Sequence, residues 1–424
     1  MKKVFLLLAT LTSALELTHA QAIQISCGQS YLKQSFYSLT NDASTTINNS
    51  EWDIAFTVFG QQDAGVFLNE AAGTGVPPQV PLKLFKTNST IFADVNMSSI
   101  LKDSLYNDEV GWSYGAFNSE RNAANPFDYG WGAYNTSSKK VEGNKVYVLK
   151  LRDGSYKKIE IQNLNLTVYT FRHANLDGSD EKVVTIDKSK FTGKTLAYYS
   201  FAKNEVKDLE PAGGFDLLYT RYNSTVVQNN VPAIYPVLGI LTGRGIQTAK
   251  ATGIDPSKVA AQDYAAKFEK KSDVIGYDWK TFTLATNTWS IPSDLAYFVK
   301  LRNGDVYKIV FADFEGSATG ITTFEKTFIG KLTSATENRA VDTKLNVFPT
   351  LASEVLNVAF DNANSEKYDL NIHNISGQTV LSANMEVQSG FQVKTIDVSA
   401  LTSGTYILTL RSMKGIRSAK FIKL

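Results

Sequence analysis

The stretch that decides the fold is Trp52-Asp53-Ile54-Ala55-Phe56-Thr57-Val58-Phe59, which returns as Phe215-Asp216-Leu217-Leu218-Tyr219-Thr220-Arg221-Tyr222. In both copies an aromatic residue and an aspartate lead into a run of aliphatic and aromatic side chains. That composition favours a buried β-strand. The chain therefore contains two related strands that are far apart in sequence.

Three further segments recur at nearly constant spacing. They are Phe36-Tyr37-Ser38-Leu39 with Tyr198-Tyr199-Ser200-Phe201, Val110-Gly111-Trp112-Ser113-Tyr114 with Ile275-Gly276-Tyr277-Asp278-Trp279, and Lys150-Leu151-Arg152-Asp153-Gly154 with Lys300-Leu301-Arg302-Asn303-Gly304. With the opening pair included, the spacing is 162 to 165 residues for three of the four pairs and 150 for the pair that begins at Lys150 and Lys300. One insertion of about fifteen residues in the first copy, near residues 116–130, accounts for the change. A common spacing with one insertion indicates a tandem duplication.

Each copy ends in a predicted β-hairpin. Asp153-Gly154 and Asn303-Gly304 are two-residue turn signals, because both turn positions require positive φ. Helix signals are few. The clearest is Asp255-Pro256-Ser257, which predicts a helix over residues 258–271 with Asp255 as its N-cap.

The last eighty residues, 345–424, form a separate run of short alternating segments. Apolar side chains alternate at Val355 and Val358, at Leu370 and Ile372, and again at Tyr406, Leu408 and Leu410. Ser-Gly pairs mark the turns between them. About seven strands at this spacing are typical of a small antiparallel sandwich.

This segment resembles the type A C-terminal sorting domain of the type IX secretion system of Bacteroidetes. The similarity lies in the motifs Phe348-Pro349, Leu356-Asn357-Val358, Asn374-Ile375-Ser376-Gly377-Gln378, Leu401-Thr402-Ser403-Gly404-Thr405-Tyr406 and Lys420-Phe421-Ile422-Lys423-Leu424. The resemblance implies an Ig-like sandwich that addresses the chain to the type IX secretion machinery. It also implies a final location in the medium or at the outer-membrane surface.

The second copy resembles the HmuY-like family of secreted haem-binding proteins. The similarity lies in Gly276-Tyr277-Asp278-Trp279, in Trp289-Ser290-Ile291-Pro292, in the hairpin around Arg302-Asn303-Gly304, and in Phe314-Glu315-Gly316. The first copy adds Trp52-Asp53-Ile54-Ala55-Phe56. The resemblance implies a mainly β fold of two tandem units.

Haem binding in that family implies paired axial side chains, commonly two histidines. The two units contain one histidine and one methionine as candidates, His173 and Met97. His173 precedes the Asp177-Gly178 turn signal, which predicts a strand end or loop and favours an exposed loop histidine over an axial ligand. Stacking on tyrosine or tryptophan, or a tyrosine ligand, with Arg221 or Arg244 near the propionates, is a further hypothesis for haem.

Dense aromatic residues give another candidate surface. Seven of them span twenty-three residues that include the insertion: Trp112, Tyr114, Phe117, Phe127, Tyr129, Trp131 and Tyr134. Such a cluster can stack a flat ligand or a sugar. The simpler interpretation, a strand core with a tucked loop, is favoured over it.

Composition excludes several classes of function. The chain has forty-three basic and forty-one acidic residues, so it lacks the basic excess of a nucleic-acid binder. No Gly-x-Ser-x-Gly elbow is present, and the glycine-rich stretch at residues 239–245 lacks the Gly-Lys-Ser/Thr ending of a phosphate loop. We therefore expect a protein that is not an enzyme, with no catalytic residues and no metal site.

The N-terminus indicates export. Residues 1–20 combine Lys2-Lys3, an apolar run and a small residue at Ala20, as a signal peptide does. The apolar run is too short to span a bilayer, and no later segment is long enough. Cys27 is the only cysteine, so no internal disulfide can form, and a partly buried free thiol is favoured over a lipid anchor.

The predicted organisation has five parts. They are a signal peptide at 1–20, a first HmuY-like unit at 21–190, a second at 191–332, a polar linker at 333–344 and the sorting domain at 345–424. The expected function is non-enzymatic binding of haem or another flat small molecule by a secreted or cell-surface protein. The alternative is a surface structural or adhesion protein that binds no haem.

Overall fold

The computed structural model describes residues 21–60, 63–71, 81–108, 111–228, 230–332, 345–362, 365–388, 390–412 and 415–424. The predicted signal peptide and the linker at 333–344 lie outside these ranges. Within the described residues all regular structure is β-strand or short 3-10 helix, so the expectation of a mainly β fold is confirmed. The 3-10 helices are Gln29–Tyr31, Asn49–Glu51, Phe92–Asp94, Met97–Ser99, Ala116–Asn118, Lys188–Phe191, Ala261–Tyr264 and Gly316–Ala318.

The strands are numbered along the chain. The first fifteen are β1 Gln21–Ser26, β2 Lys33–Ser38, β3 Ala43–Asn48, β4 Ile54–Thr57, β5 Val66–Leu68, β6 Lys83–Thr87, β7 Ile100–Leu105, β8 Gly132–Asn135, β9 Lys140–Gly143, β10 Tyr147–Lys150, β11 Tyr156–Asn165, β12 Val168–Asn175, β13 Lys182–Asp187, β14 Leu196–Ser200 and β15 Glu205–Lys207. The next eight are β16 Leu217–Gln228, β17 Val231–Thr242, β18 Gln247–Thr252, β19 Thr281–Thr283, β20 Thr288–Ser290, β21 Leu295–Lys300, β22 Asp305–Phe314 and β23 Ile321–Lys331. The C-terminal strands are β24 Asn346–Phe348, β25 Leu351–Ala352, β26 Val355–Asn362, β27 Glu366–Asn374, β28 Thr379–Val387, β29 Gly390–Asp397, β30 Gly404–Ser412 and β31 Gly415–Lys423.

The first sandwich is contiguous in sequence, from β4 to β15. Its outer sheet runs β13-β12-β11-β10-β6-β7, with the β8–β9 hairpin attached to β11. Its inner sheet runs β15-β14-β4-β5. Aromatic and aliphatic side chains from both sheets, among them Phe56, Trp131 and Phe171, form one core.

The second sandwich is not contiguous, because the N-terminal strands complete it. Its inner sheet runs β17-β16-β2-β3 and its outer sheet β1-β23-β22-β21-β18. Strand β1 pairs antiparallel with β23 from Gln21↔Lys326 to Ser26↔Ile321. The start and the end of this part of the chain therefore lie side by side in one sheet.

The two sandwiches stack on each other through their inner sheets. Buried residues of one inner sheet, such as Phe36 and Leu218, contact those of the other, such as Phe67 and Tyr198. Four sheets thus lie in succession, with a core in each sandwich and a third apolar layer between them. Each inner sheet is covered on both faces, which explains why all four residues of β4 are buried without alternation.

The duplication is visible in equivalent contacts. The Asp53 carboxylate accepts from the Phe201 amide at 2.8 Å and pairs with Arg152 at 2.7 Å. In the second sandwich Asp216 accepts from the Leu39 amide at 2.9 Å and lies 3.6 Å from Arg302. These residues are the ones that the repeat aligns. Both hydrogen bonds cross the predicted boundary. Phe201 lies in the predicted second unit but donates to Asp53 of the first, and Leu39 lies in the predicted first unit but donates to Asp216 of the second.

The predicted boundary at residues 190 and 191 therefore divides the chain differently from the sheets. It separates β14 from its partner β4 and keeps β2 with the first unit, although β2 pairs with β16. Strand pairing over such distances leaves no local mark in the sequence. The domain boundaries remain a prediction, whereas the pairing groups residues 21–48 with the second sandwich.

Two local predictions are wrong. Residues 258–271 form turns and the short 3-10 helix Ala261–Tyr264, because Thr248 and Glu269 exchange backbone hydrogen bonds at 2.9 Å and hold the segment across the outer sheet. The hairpins at Gly154 and Gly304 are confirmed, but neither has a two-residue turn. In the first hairpin the Leu151 amide donates to the Ser155 carbonyl at 2.8 Å. This leaves a three-residue loop in which only Gly154 has a positive φ, 84°.

The C-terminal segment folds as a separate sandwich around its own core. One sheet runs β24-β26-β29 and the other β25-β31-β30-β27-β28. All described pairs are antiparallel except β25 with β31, which is parallel. The expectation of a small β-sandwich is confirmed here, and its core contains Leu356, Tyr406 and Phe421.

Candidate functional site

His173 lies in the core of the first sandwich and not in an exposed loop. It is on strand β12 with a side chain that is 1% exposed. Tyr199 donates to Asn204, so His173 Nε2 donates to the Tyr199 oxygen at 2.9 Å. The rings of Phe171 and Phe201 pack against the imidazole. An imidazole enclosed in this way offers no face to a haem iron, and Met97 is 55% exposed on a separate 3-10 helix.

The second sandwich has a lysine where the first has His173. Lys326 is opposite Ile309 as His173 is opposite Ile159, and these two isoleucines are 150 residues apart like the hairpins that hold them. The Lys326 ammonium contacts Asp42, which also accepts from Tyr37 at 2.7 Å. Tyr199 and Asn204 are the counterparts of Tyr37 and Asp42. A basic group, a tyrosine and a turn residue thus form the same arrangement twice, which identifies His173 as part of the scaffold.

Burial makes His173 sensitive to acid. Loss of solvent lowers the pKa of His173 to about 4, below its ordinary value near 6.5. The unfolded chain therefore binds more protons between these two values, so stability is fully present above about pH 6.5 and falls as the pH drops toward 4. We expect wild type to lose more unfolding midpoint temperature between pH 7 and pH 4.5 than His173→Gln does.

The matched control is His373→Gln, which changes the tail and leaves the first sandwich untouched. Thermal unfolding of residues 21–424, followed by circular dichroism at both pH values, makes the comparison. Equal losses in wild type and in His173→Gln would show that His173 already carries the proton in the folded state.

The dense aromatic residues of the first copy do not form one surface. Phe117 and Trp131 are core residues, 1% and 0% exposed. Trp112 lies between the sandwiches and donates from Nε1 to the Thr242 carbonyl at 2.8 Å. Phe127 stacks on Tyr134 with ring centroids 5.6 Å apart. The interpretation as core plus a tucked loop accounts for most of the cluster.

A small cavity lies between the inner sheets beside Glu70. Its volume is about 70 Å³, room for a few water molecules and far below the roughly 300–1,000 Å³ of sites for drug-sized ligands. Glu70 accepts from the Asn107 amide at 2.8 Å and from the Asn223 amide at 2.9 Å, and burial raises its pKa to about 7. This carboxyl group joins the two sandwiches, and the cavity does not hold a haem.

A continuous row of aromatic rings crosses one end of the second sandwich. We call it the aromatic strip and define it as Phe282, Trp289, Phe314 and Tyr31. Ring centroids are 4.9 Å apart from Phe282 to Trp289, 4.9 Å from Trp289 to Phe314, and 6.3 Å from Phe314 to Tyr31. Phe282 and Trp289 are 39% and 38% exposed, whereas Phe314 is buried beneath them. The strip therefore offers ring faces to solvent on a fixed base.

Two cations border the aromatic strip. The Arg221 guanidinium lies 5.7 Å from the Tyr31 ring centroid. The Lys280 ammonium lies 4.1 Å from the ring of Trp279, 4.9 Å from Phe314 and 5.7 Å from Trp289. Burial lowers the pKa of Lys280 to about 7 and also lowers the pKa of Arg221. A buried cation is costly unless an anion balances it.

The first sandwich has none of these features at the equivalent positions. The repeat offsets place Val58 at the position of Arg221, Gly193 at that of Tyr31, Leu164 at that of Phe314 and Gly115 at that of Lys280. The aspartate–arginine pair at the strand start is present in both copies, whereas the strip and its cations are present in one. Within one chain, shared residues thus mark the scaffold and unshared residues mark a candidate site.

The backbone at Tyr31 is strained. Tyr31 has φ 57°, a left-handed conformation that bulky side chains avoid, and its counterpart Gly193 adopts φ 82° without strain. Strain of this kind persists where the surrounding structure imposes it and is concentrated at functional sites. A tyrosine at this position therefore costs backbone strain in the second sandwich, and it places an aromatic ring in the strip.

Sequence analysis gave Arg221 as a candidate contact and noted Trp289 and Phe314 only within motifs of the HmuY-like resemblance. Arg221 was expected near haem propionates, whereas Arg244 lies over Phe59 at 4.1 Å, away from the strip. Tyr31, Phe282, Trp289 and Phe314 come from separate segments and were not predicted to meet. Aligning the two copies residue by residue would have found Tyr31, Arg221 and Phe314. Cys27 is a free and fully buried thiol, which donates to the Tyr219 carbonyl at 3.2 Å.

Comparison with known proteins identifies the C-terminal segment. Residues 346–424 match the family model described as the secretion system C-terminal sorting domain. The chain thus carries a type IX sorting domain and is exported by secretion or to the cell surface. No curated protein matches the chain.

Solved structures add no argument. One similar structure is dimeric latent PorU from Porphyromonas gingivalis, with 9% identity over 68% of this chain and 32% of that one, at a TM-score of 0.18. Another is a C-terminally truncated trimeric ectodomain of the C. elegans fusion protein EFF-1, with 9% identity over 97% and 93% of the two chains, at a TM-score of 0.16. The chain spans about a third of the PorU chain. Neither TM-score supports an inference about fold.

Within the described residues no three or more His, Cys, Asp or Glu side chains are grouped to hold a metal ion. No described helix has the length and apolar character needed to cross a membrane.

Proposed function

We propose that this protein is a non-enzymatic binding protein, delivered by the type IX machinery, whose second sandwich binds a flat small molecule on the aromatic strip. The observation that carries the proposal is the difference between the two copies. The duplicated scaffold keeps its aspartate–arginine contacts twice, but the row of rings bordered by Arg221 and Lys280 in the second sandwich has no counterpart at the aligned positions of the first.

Stacking explains why the strip suits a flat ligand. Offset or edge-on contacts between aromatic rings contribute about 0.5–1.5 kcal/mol each beyond the apolar area that they bury. Trp289 is held against Phe314 and close to Gly316, where an added Cβ would lie 3.2 Å from Trp289 Nε1. Its ring is thus fixed in place before a ligand arrives, which lowers the entropy cost of binding.

Haem is one flat molecule that the strip could accept, and the HmuY-like relationship remains part of the proposal. The residues do not fit a haem held by two histidines. His173 is enclosed in the first sandwich and His373 belongs to the tail. Binding of haem here would depend on stacking and on Arg221.

Trp289→Ala is expected to weaken binding of haemin to residues 21–424 by about tenfold, because it removes the indole of the strip, which is partly exposed. Quenching of tryptophan fluorescence and the Soret absorption measure the affinity. The control is Tyr106→Ala, since Tyr106 is 37% exposed like Trp289 but lies in the first sandwich. No binding by wild type at micromolar protein, or equal affinity in Trp289→Ala, would refute the strip as a haemin site.

A surface structural or adhesion role is the second candidate, and the β16–β17 hairpin favours it. Strand β2 pairs with β16 only from Leu217 to Tyr219, whereas the hairpin continues to Gln228↔Val231. Its far half exposes four apolar side chains, Val227 64%, Val231 64%, Ile234 46% and Tyr235 56%. An adhesive role is supported if substitutions there abolish attachment to surfaces while haemin binding stays unchanged.

A further inference from the structure

Neither cation at the strip forms an ion pair with an acidic side chain in the described part of the chain. No described carboxylate lies within 4.0 Å of Arg221, and its Nε is buried without a hydrogen-bond partner among the described residues. Lys280 donates to the carbonyls of Leu238 at 2.7 Å and Tyr277 at 3.4 Å, and no described carboxylate lies within 4.0 Å of its ammonium. Arg152 and Arg172 of the first sandwich, by contrast, are paired with Asp53 and Glu160.

We propose that the ligand of the aromatic strip is a flat anion, with its ring system against Trp289 and its negative group at Arg221. This inference rests on the proposed function and specifies its ligand. A carboxylate, sulfonate or phosphate group would accept from the partly exposed guanidinium of Arg221 and balance its charge.

The geometry assigns separate tasks to the two ends of the strip. Trp289 and Phe282 are the exposed ring faces, and Tyr31 is the ring that Arg221 faces. Lys280 is buried beneath Trp289 and Phe314, so its ammonium does not contact a ligand that lies on the exposed side of these rings. An anion at this end of the strip is attracted by the Arg221 guanidinium, which is partly shielded from water, so the attraction is stronger than between fully solvated charges.

Two fluorescent probes that differ by one charged group test the inference. Anilinonaphthalene sulfonate is a flat anion, and N-phenylnaphthylamine is the same ring system without the sulfonate. We expect residues 21–424 to bind the anionic probe about tenfold more tightly than the neutral one, as suits one charge-assisted hydrogen bond. Arg221→Gln should remove this difference by weakening the anionic probe alone.

Three variants make the comparison specific. Arg221→Lys keeps the charge and should retain part of the preference for the anion. Arg121→Gln is the matched control, because Arg121 lies 3.7 Å over the ring of Tyr114 in the first sandwich, and it should leave both probes unchanged. Trp289→Ala should weaken both probes. Circular dichroism confirms that each variant is folded before it is titrated.

The outcomes separate this inference from the proposed function. Equal affinities for the two probes in wild type would overturn the inference that the ligand is an anion, and so would an equal loss of affinity for both probes in Arg221→Gln. Either result would still leave the strip as a binding site. A loss of the preference in Arg121→Gln also overturns it. If wild type binds neither probe nor haemin, the proposed function fails as well.

Discussion

A chain that begins at Asn49 is expected to lose the second sandwich while the first sandwich stays folded. Removal of residues 21–48 deletes β1, β2 and β3, and with them the buried side chains of Ile23, Ile25 and Tyr37. At about 1.5–3 kcal/mol for each buried apolar side chain, the loss of these and of Cys27 and Leu39 amounts to about 10 kcal/mol, comparable with the whole stability of a domain.

Hydrogen exchange of residues 49–332 and 21–332, read by mass spectrometry, measures the effect. Peptides from β21, β22 and β23 should lose protection in the shortened chain, and peptides from β10, β11 and β12 should keep it. The control returns residues 21–48 after Leu332 through a glycine-serine linker of about eight residues, which restores the pairing of β1 with β23. Protection of β22 that survives the deletion contradicts the pairing described above.

The closure of the second sandwich also assembles the candidate site. Tyr31 belongs to the N-terminal segment, whereas Arg221, Trp289 and Phe314 belong to the part that follows the first sandwich. The strip is therefore complete only when the N-terminal strands β1 and β2 are paired with β23 and β16. Ligand binding should be lost in residues 49–332 and regained in the rearranged chain.

Asp53→Ala is expected to destabilise the first sandwich by about 3 kcal/mol. It leaves Arg152, at 18% side-chain exposure, without its acidic partner, although the Asn49 carbonyl still accepts from it at 3.3 Å. It also removes the acceptor of the Phe201 amide. Burial raises the pKa of Asp53 in spite of Arg152, so the pair itself is expensive to bury. Breaking a buried pair from one side nevertheless costs about 3–5 kcal/mol, because one charge stays buried alone.

The second copy supplies the matched control for this substitution. Arg302 lies 3.6 Å from Asp216 and is 41% exposed, so water can solvate it when the aspartate is removed. We expect Asp216→Ala to cost about 1–2 kcal/mol in the second sandwich, chiefly through the Leu39 amide. In hydrogen exchange, Asp53→Ala should lower protection of β11 about a hundredfold, and Asp216→Ala should lower that of β22 about tenfold. The reverse order would exclude the burial of Arg152 as the cause.

The sequence predicted the elements of the fold and missed how they pair. The spacing of the repeats, the hairpins at Gly154 and Gly304 and the C-terminal sandwich could be read from local patterns. The pairing of β2 with β16 could not, because it joins residues about 180 apart in the chain and no local pattern specifies the partner of either strand. The helix predicted after Asp255 failed because packing of residues 258–271 on the outer sheet outweighed a local cap signal.

The candidate site shows the same limit. His173 was singled out because histidine is a haem ligand, but sequence could not show that its neighbours Tyr199 and Asn204 hold it in a core. Arg221 was named from its charge alone. Trp289 appeared in a scaffold motif, and its role follows only from the contacts with Phe314 and Phe282 that the fold creates.

The most direct test of the central claim is the response of the five indole groups to a ligand. Residues 21–424 with ¹⁵N-labelled tryptophan give one Nε1–H resonance each for Trp52, Trp112, Trp131, Trp279 and Trp289. Single Trp→Phe substitutions assign them. On addition of anilinonaphthalene sulfonate, the Trp289 resonance should shift most, while Trp131 in the first core and Trp52 and Trp112 between the sandwiches stay in place. A shift of Trp52 or Trp112 with Trp289 unchanged would place the ligand between the sandwiches and contradict the assignment of the aromatic strip.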